Sequence, residues 1–405
     1  MIDVTALTDK QILLGVCGGI AAYKACDWTR ALRREGAAVT VVMTEAATRF
    51  VAPLTFAALS GRKVYSAMFA ADEAEQIPHI GLARQADAVL IAPATAHTIA
   101  RLAHGLADDL LSTLVLATTA KVVVCPAMNS QMYRHPATQA NLARLREYGY
   151  TIVEPACGTM ACGEEGPGRL VEWEEARQAV LTALSRQDLA GLDVLVTAGP
   201  TREPLDPARL LTNRATGRMG YAVAAAARQR GAHVTLISGP SELPVPAGVE
   251  LVRVTSAMEM HREVLSRAER MAVIVKAAAV ADFRPKATTP SKVKKGKASL
   301  TLELAANPDI LQELGAMKAK SACFPLLVGF AAESGELRAE AQRKLTEKNL
   351  DLIVANDITA PDAGFAVETN RVLLIDRNGT ETELSLLSKE ETAHRIWDAV
   401  VTRQR

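Results

Sequence analysis

Residues 34–42 read Arg-Glu-Gly-Ala-Ala-Val-Thr-Val-Val, and residues 228–237 read Arg-Gln-Arg-Gly-Ala-His-Val-Thr-Leu-Ile. Each is the end of a helical stretch, a glycine able to stop it, and a β-branched strand. What precedes each copy is also alike. Ile12 to Val16 is a short apolar run that enters Gly18-Gly19 and a helical stretch from Ile20 to Arg34, with Gly36 as its stop. Val194 to Thr197 is a second such run. A polar loop with Pro200, Pro204 and Pro207 follows it, then a helix from Gly217 to Arg230. Strand, helix, glycine and strand, stated twice, predict two doubly wound α/β domains instead of one long sheet.

Working outward, Ala88 to Ala92, Val122 to Cys125 and Thr151 to Val153 add buried strands to the first domain. Val273 to Val280, Leu326 to Phe330 and Leu352 to Ala355 add them to the second. Most are bounded by Pro, Gly, Asn or Thr, as where loops leave the carboxyl edge of a parallel sheet. Asn378-Gly379, between Val372–Asp376 and an alternating stretch, predicts a hairpin. Helix Lys389 to Thr402 closes the chain. The border falls between Ser185 and Gly191, after the helical stretch Glu174 to Leu184, giving domains 1–190 and 191–405.

Composition agrees with this class and excludes others. The 405 residues leave room for two large cores, and 49% hydrophobic content with only 4% aromatics suits aliphatic parallel sheets. A net charge of +1 argues against a general nucleic-acid surface. No apolar run is long enough for a membrane span, and the start lacks the basic and apolar regions of a secretory signal, so a cytoplasmic location is expected. Cys17, Cys26, Cys125, Cys157, Cys162 and Cys323 include no CxxC pair, which argues against a zinc or thioredoxin-type motif; reduced thiols are expected.

Gly18-Gly19 opens a helix directly after a strand, where bare backbone can receive a phosphate or simply make a tight turn. It is not a full GxGxxG. Further segments stand at the ends of later strands: Ala92-Pro93-Ala94-Thr95-Ala96-His97-Thr98, Pro126-Ala127-Met128-Asn129, and Ala161-Cys162-Gly163 among Gly158, Gly166 and Gly168. Together with Gly18 to Lys24 and His79-Ile80, in this order and spacing, they resemble the homo-oligomeric flavin-containing cysteine decarboxylases over nearly all of residues 10–180.

The resemblance implies a flavodoxin-like, FMN-binding domain. It places the flavin phosphate near Gly18, Gly19 and Thr44, and ring or ribityl contacts at Thr95, Ala96, Thr98 and Ala127. His79 would move protons, Asn129 would hold the substrate carboxylate, and Cys162, on a flap, would protonate the late intermediate. The implied reaction has no net oxidation: flavin takes electrons from the thiol end of cysteine and returns them after carbon dioxide leaves. Taken singly, His79 could be a surface or capping residue, Asn129 a helix cap and Cys162 a loop thiol. Cys17 and His97 depart from the family pattern, which carries Ser or Thr and Asn or Asp there; both are expected to alter only local flavin contacts.

The second half carries Thr197 to Pro204, Leu211 to Gly220, Ala277 to Pro285, a lysine group at 292, 294, 295 and 297, and Asn307-Pro308-Asp309-Ile310. The lysines read equally as a solvated loop, and Asn307-Pro308 as a helix cap with proline at the first position. In sequence this region resembles phosphopantothenate–cysteine ligases over 191–400, and the order of the halves matches the bacterial bifunctional form. The resemblance implies CTP contacts at Ala277, Ala278, Asp282, Lys292, Asn307, Pro308, Asp309, Ile310, Phe330, Lys344 and Lys348. Lys344 and Lys348, one helical turn apart, could meet a triphosphate together. Arg209 and Asn213 would bind substrate, with Asn213 and Lys292 stabilising charged intermediates. Mg²⁺ is expected with CTP, its ligands left open, as are trimers of the flavin domains and dimers of the ligase domains. Two other readings stay open: a nicotinamide-linked Rossmann oxidoreductase, against which neither half shows the full glycine fingerprint, and a flavin-binding regulatory protein without catalysis.

Overall fold

The computed structural model describes residues 7–69, 78–160, 163–292, 301–321, 323–333, 337–357, 367 and 369–404. They fall into two compact units, Met1–Ser185 and Arg186–Arg405. The front unit has strands β1 (Gln11–Val16), β2 (Ala38–Met43), β3 (Val64–Tyr65), β4 (Ala88–Ala94), β5 (Lys121–Pro126) and β6 (Thr151–Ile152). Their order is β3-β2-β1-β4-β5-β6 and every pairing is parallel. The doubly wound, Rossmann-like expectation holds. Its flavodoxin label does not, because that sheet runs 2-1-3-4-5, whereas here β2 and β3 both lie on one side of β1.

Both faces of this sheet are covered. Leu14 and Val16 join Trp28, Phe56 and Val180 in one core. Leu13 joins Ile91, Ile99, Leu111 and Leu142 in the other. Burial on both faces is why the strands read as unbroken apolar runs without alternation. The helical stretch after β1 splits into a 3-10 turn, Ile20–Tyr23, and an α-helix, Lys24–Arg34. Gly36 (φ 82°) and Gly231 (φ 94°) take the left-handed conformation at the two echoed helix stops.

An unanticipated hairpin, β7 (Ala156–Thr159) with β8 (Glu165–Arg169), occupies the glycine-rich segment. Its glycines and prolines hide the period-two signal on which strand recognition rests.

The rear unit has strands β9 (Asp193–Ala198), β10 (Arg202–Asp206), β11 (Arg209–Thr212), β12 (His233–Ser238), β13 (Glu250–Arg253), β14 (Val273–Lys276), β15 (Phe283–Pro285), β16 (Leu304–Ala306), β17 (Leu326–Glu333), β18 (Leu352–Asp357), β19 (Thr369–Asp376) and β20 (Glu381–Ser388). The main sheet runs β13-β12-β9-β14-β17-β18-β19-β20, parallel up to β18 and antiparallel beyond. The Asn378-Gly379 hairpin forms as expected, with Asp376 Oδ1 accepting from the Asn378 and Thr380 amides at 2.9 and 2.8 Å. The proline loop contains the hairpin β10–β11, which sequence reading missed.

The strand expected to reach Val280 stops at Lys276. Past that point the backbone is taken by other partners: the Ala278 amide donates to Thr197 Oγ1, that of Ala279 to Gly199 O and that of Ala281 to Thr201 Oγ1. Helix Lys389–Gln404 packs along helix Arg218–Gln229, where fully buried Trp397 donates its indole N–H to Val223 O at 2.9 Å. Arg230, also buried, joins Asp188, Asp398 and His394 O. No helix among the described residues is long and apolar enough to cross a membrane.

Trp397→Ala removes the largest buried side chain of the rear core and its hydrogen bond to the Val223 carbonyl. It should lower the stability of that unit by about 3–5 kcal/mol. Chemical denaturation followed by near-ultraviolet circular dichroism should show the rear transition moving while the front one stays.

Candidate functional sites

At the carboxyl ends of β1, β4 and β5 the front unit encloses a cavity of about 640 Å³, the size of a small-molecule site. Strand order reverses between β1 and β4, and a crevice opens there because successive crossovers leave toward opposite sides. Its floor is knitted by backbone bonds: Cys17 N to Pro93 O (3.2 Å), Ala127 N to Ala94 O (2.9 Å) and Thr44 N to Val16 O (3.0 Å). The hairpin β7–β8 closes one side, held by Met128 N to Gly168 O (3.0 Å).

Of the residues expected at a flavin, Gly18, Gly19, Thr95, Ala96, Ala127 and Asn129 line this cavity. The two glycines differ in cause. A methyl group on Gly18 would lie 2.4 Å from the Ala46 side chain and 2.7 Å from its backbone, so packing alone demands glycine there. A methyl on Gly19 would meet nothing nearer than Thr95 at 3.9 Å. Gly19 therefore presents bare backbone to the cavity without internal need, which fits a phosphate held at the start of the following helix.

Thr44 and Thr98 are outside the lining. Thr44 Oγ1 accepts from the Ala47 amide (3.3 Å) and closes a turn. Thr98 is buried, 3.2 Å from the Thr95 hydroxyl. Cys17 is fully buried beneath them; burial pushes its thiol up to about 11, against the pull of Thr98, so it stays neutral. His97 is exposed and off the cavity. The single chain does not bring His79 to it either. His79 is half-buried on helix Pro78–Gln85, and its buried Nδ1 has no hydrogen-bond partner among the described residues. Cys162 lies outside the described residues.

Asn129 caps helix Ser130–Arg134, accepting from the Gln131 amide at 2.8 Å. Its Nδ2 donates to Glu164 Oε2 at 2.6 Å. The amide expected to hold a substrate carboxylate thus already holds a carboxylate of this chain. Glu164 carried no motif signal. Met132, Met160 and Arg169, also in the lining, were equally unmarked, whereas Tyr23 and Lys24 belong to the motif from Gly18 to Lys24.

In the rear unit a cavity of about 400 Å³ opens beyond β9 and β12. It contains Asn213, as expected, and adds Arg202, Arg214, Thr216, Arg218 and Ser241, which sequence reading did not single out. Helix Arg218–Gln229 begins at this cavity, and its N-cap Gly217 supplies no side-chain cap. A helix N-terminus with three arginines is suited to a highly charged anion. Arg209 is not in the lining; it pairs with Asp206 at 3.4 Å.

Asn213 joins this cavity to a second group. Its Nδ2 donates to Ala279 O (3.0 Å) and Val280 O (3.4 Å), within the clamped segment that runs through Ala277 and Ala278 to Asp282. Asn307 holds the other end: its amide nitrogen donates to Asp282 O and its Nδ2 to Ala281 O, both at 2.8 Å. The cap of helix Ile310–Lys318 is Asp309, not Asn307, with Pro308 just before it, because the Asn307 side chain is committed to Ala281 and Arg284. Asp309 binds Lys348 at 2.7 Å, which holds its carboxyl below the usual range against the effect of burial. Ile310 is buried and Phe330 is packed against the core. Lys292 is exposed, and no recorded contact among the described residues joins it to this group.

The family model described as Flavoprotein matches residues 3–185, and that described as DNA/pantothenate metabolism flavoprotein C-terminal domain matches 189–403. The chain is 47% identical over 394 residues to the coenzyme A biosynthesis bifunctional protein CoaBC of Bacillus subtilis (strain 168), covering 96% of each. It is 44% identical over 402 residues to that of Escherichia coli (strain K12), covering 98% of each. Among solved structures, the C-terminal domain of such a protein shares 39% identity with a TM-score of 0.46, over 54% of this chain and 98% of that one. A PPC decarboxylase mutant complexed with pantothenoylaminoethenethiol shares 30% with a TM-score of 0.39, over 42% and 96%.

Gly18→Ala should destabilise the front unit by about 1–3 kcal/mol through overpacking. Gly19→Ala should leave its melting temperature within about 2 °C, a surface-scale change, yet weaken retention of flavin. Thermal unfolding and the visible spectrum of purified variants separate the two glycines.

Proposed function

The chain belongs to the family of coenzyme A biosynthesis bifunctional proteins and is a two-activity enzyme, a flavoprotein decarboxylase in front and a ligase behind; on that premise we propose how each site works. The observation that carries the proposal is the pairing of two strand-end cavities with different chemistry, one lined by bare backbone and an amide, the other by arginines and a helix N-terminus.

In the front cavity FMN would rest on Gly18 and Gly19, with Thr95, Ala96 and Ala127 along it. When bound, it supplies a reversible electron sink at the thiol end of the substrate. Asn129 orients the substrate carboxylate, which takes the place Glu164 holds here. His79 moves a proton and Cys162 returns one late in the reaction. The absence of His79 from the lining of a single chain is consistent with a site completed by another copy, as in the expected flavin-domain trimers.

In the rear unit CTP is a co-substrate. Its triphosphate would face Arg214, Arg218 and the helix start, with Lys344 and Lys348 as further cations and Asp282, Asn307 and Asp309 framing the nucleotide. The carboxylate of 4′-phosphopantothenate attacks the α-phosphorus and pyrophosphate leaves. The cysteine amine then attacks the acyl-cytidylate and CMP leaves. Asn213 stabilises the charged intermediate through its amide, and Lys292 approaches from its exposed segment. Among the described residues no group of three or more His, Cys, Asp or Glu could hold a metal ion. Mg²⁺ enters in this reading on the triphosphate, as is usual for an ion that keeps most of its water. The ligase product feeds the decarboxylase, which forms 4′-phosphopantetheine, and both reactions would run in the cytoplasm.

Supplied with 4′-phosphopantothenate, cysteine, CTP and Mg²⁺, the protein should release pyrophosphate and then carbon dioxide; without CTP it should still decarboxylate added 4′-phosphopantothenoylcysteine. Asn213→Asp sets a carboxylate against two carbonyl oxygens and should cut ligase turnover by about 100-fold or more while decarboxylation is unchanged. Normal ligase turnover in that variant would refute the role.

A further inference from the structure

Lys276 is the last residue of β14, in register with Thr197 of β9 and Gly329 of β17. It therefore stands at the rear switch point, where the sheet order reverses next to β9. The clamped segment begins at the next residue, and two residues further on Ala279 O accepts from Asn213. Lys276 thus ends the strand that leads into the segment joining the Asn213 cavity to the Asp282–Asn307 group.

Four charged side chains act on it. Lys348 and Lys344 repel it, and Asp309 and Asp282 attract it. Two of these charges are already committed to each other, Lys348 to Asp309 at 2.7 Å. Lys276 itself makes no hydrogen bond or ion pair with the described residues. Lys276 is half-buried, and an ammonium partly withdrawn from water without a partner is costly unless a ligand supplies the missing acceptor.

Resting on the ligase reading above, we propose that Lys276 is a nucleotide-binding residue of the ligase, the cation at the centre of the rear group that receives an anionic oxygen of the CTP phosphates. The ammonium donates up to three hydrogen bonds to that oxygen and its neighbours. Burial, then Lys348, hold the free-state ammonium down at about 8, against Asp309 and Asp282. Below that pH it carries its charge; above it the free enzyme loses a donor, so CTP affinity should weaken as pH rises through 8.

The test uses the full chain with Mg²⁺. At pH 7, Lys276→Met should raise the KM for CTP, and the Kd for CTP measured by calorimetry without the other substrates, by about 10- to 100-fold, with a smaller change in kcat. Lys276→Arg should recover most of the affinity and hold it from pH 7 to 9.5, where the wild type weakens. Decarboxylation should be the same in all three and reports that the front unit is intact. Unchanged CTP affinity in Lys276→Met overturns the proposal, and so does a fall in kcat alone, which would mark a role in proton transfer. If Lys276→Met does not fold, identical pH profiles for the wild type and Lys276→Arg overturn it. Failure of the wild type to use CTP at all would instead sink the ligase reading on which it rests.

Discussion

Two parallel strands that part company at a switch point are the constraint from which the rest of this molecule follows. At β1 and β4, and again at β9 and β14, the strand order reverses and the regular ladder between the two strands stops at Gly15–Ile91 and at Lys276–Thr197. The backbone groups released there need new partners. In the front unit Cys17 N bonds Pro93 O across the gap, while Thr44 and Ala127 tie the neighbouring strand ends to Val16 and Ala94. In the rear unit Thr197, Gly199 and Thr201 capture residues 278–281. Each crevice is therefore both an opening and a floor tied by backbone hydrogen bonds. A functional side chain mounted on such a floor is held by backbone bonds as well as by its own rotamer.

The two floors are used differently. In the front unit the important feature is absence: bare backbone at Gly19 and an amide at Asn129 whose donor rests against Glu164. In the rear unit it is charge. Arginines and a helix start surround one cavity, while lysines and aspartates gather a few residues away. The short segment 277–282 links these two groups, so a nucleotide and the group it activates can be set against one scaffold. That arrangement suits reactions in which position and charge do most of the work.

Much of this was legible in the residues. The echoed helix stops at Gly36 and Gly231 announced the two sheets because a left-handed glycine after a helix has few alternatives. The strands announced themselves because burial on both faces leaves no room for polar alternation. The hairpins β7–β8 and β10–β11 went unread, because proline and glycine erase period-two patterning. The alternative reading of Asn307 as a helix cap fails for a related reason: its local sequence fits a cap, but its amide is claimed by Ala281, 26 residues away. Among candidate site residues, Thr98 and Thr95 look alike in sequence, and only burial separates a cavity residue from a structural one.

From the sequence alone came the class of each half, their order, and the chemical kinds of group each site employs, since periodicity and motif spacing are local properties of a chain. Tertiary structure decided which of those groups meet. It set Glu164 on Asn129, left His79 away from the cavity of its own chain, and put Lys276 among charges from residues 282, 309, 344 and 348. Such meetings depend on distances between residues remote in the chain, and those distances exist only once the sheet has been assembled.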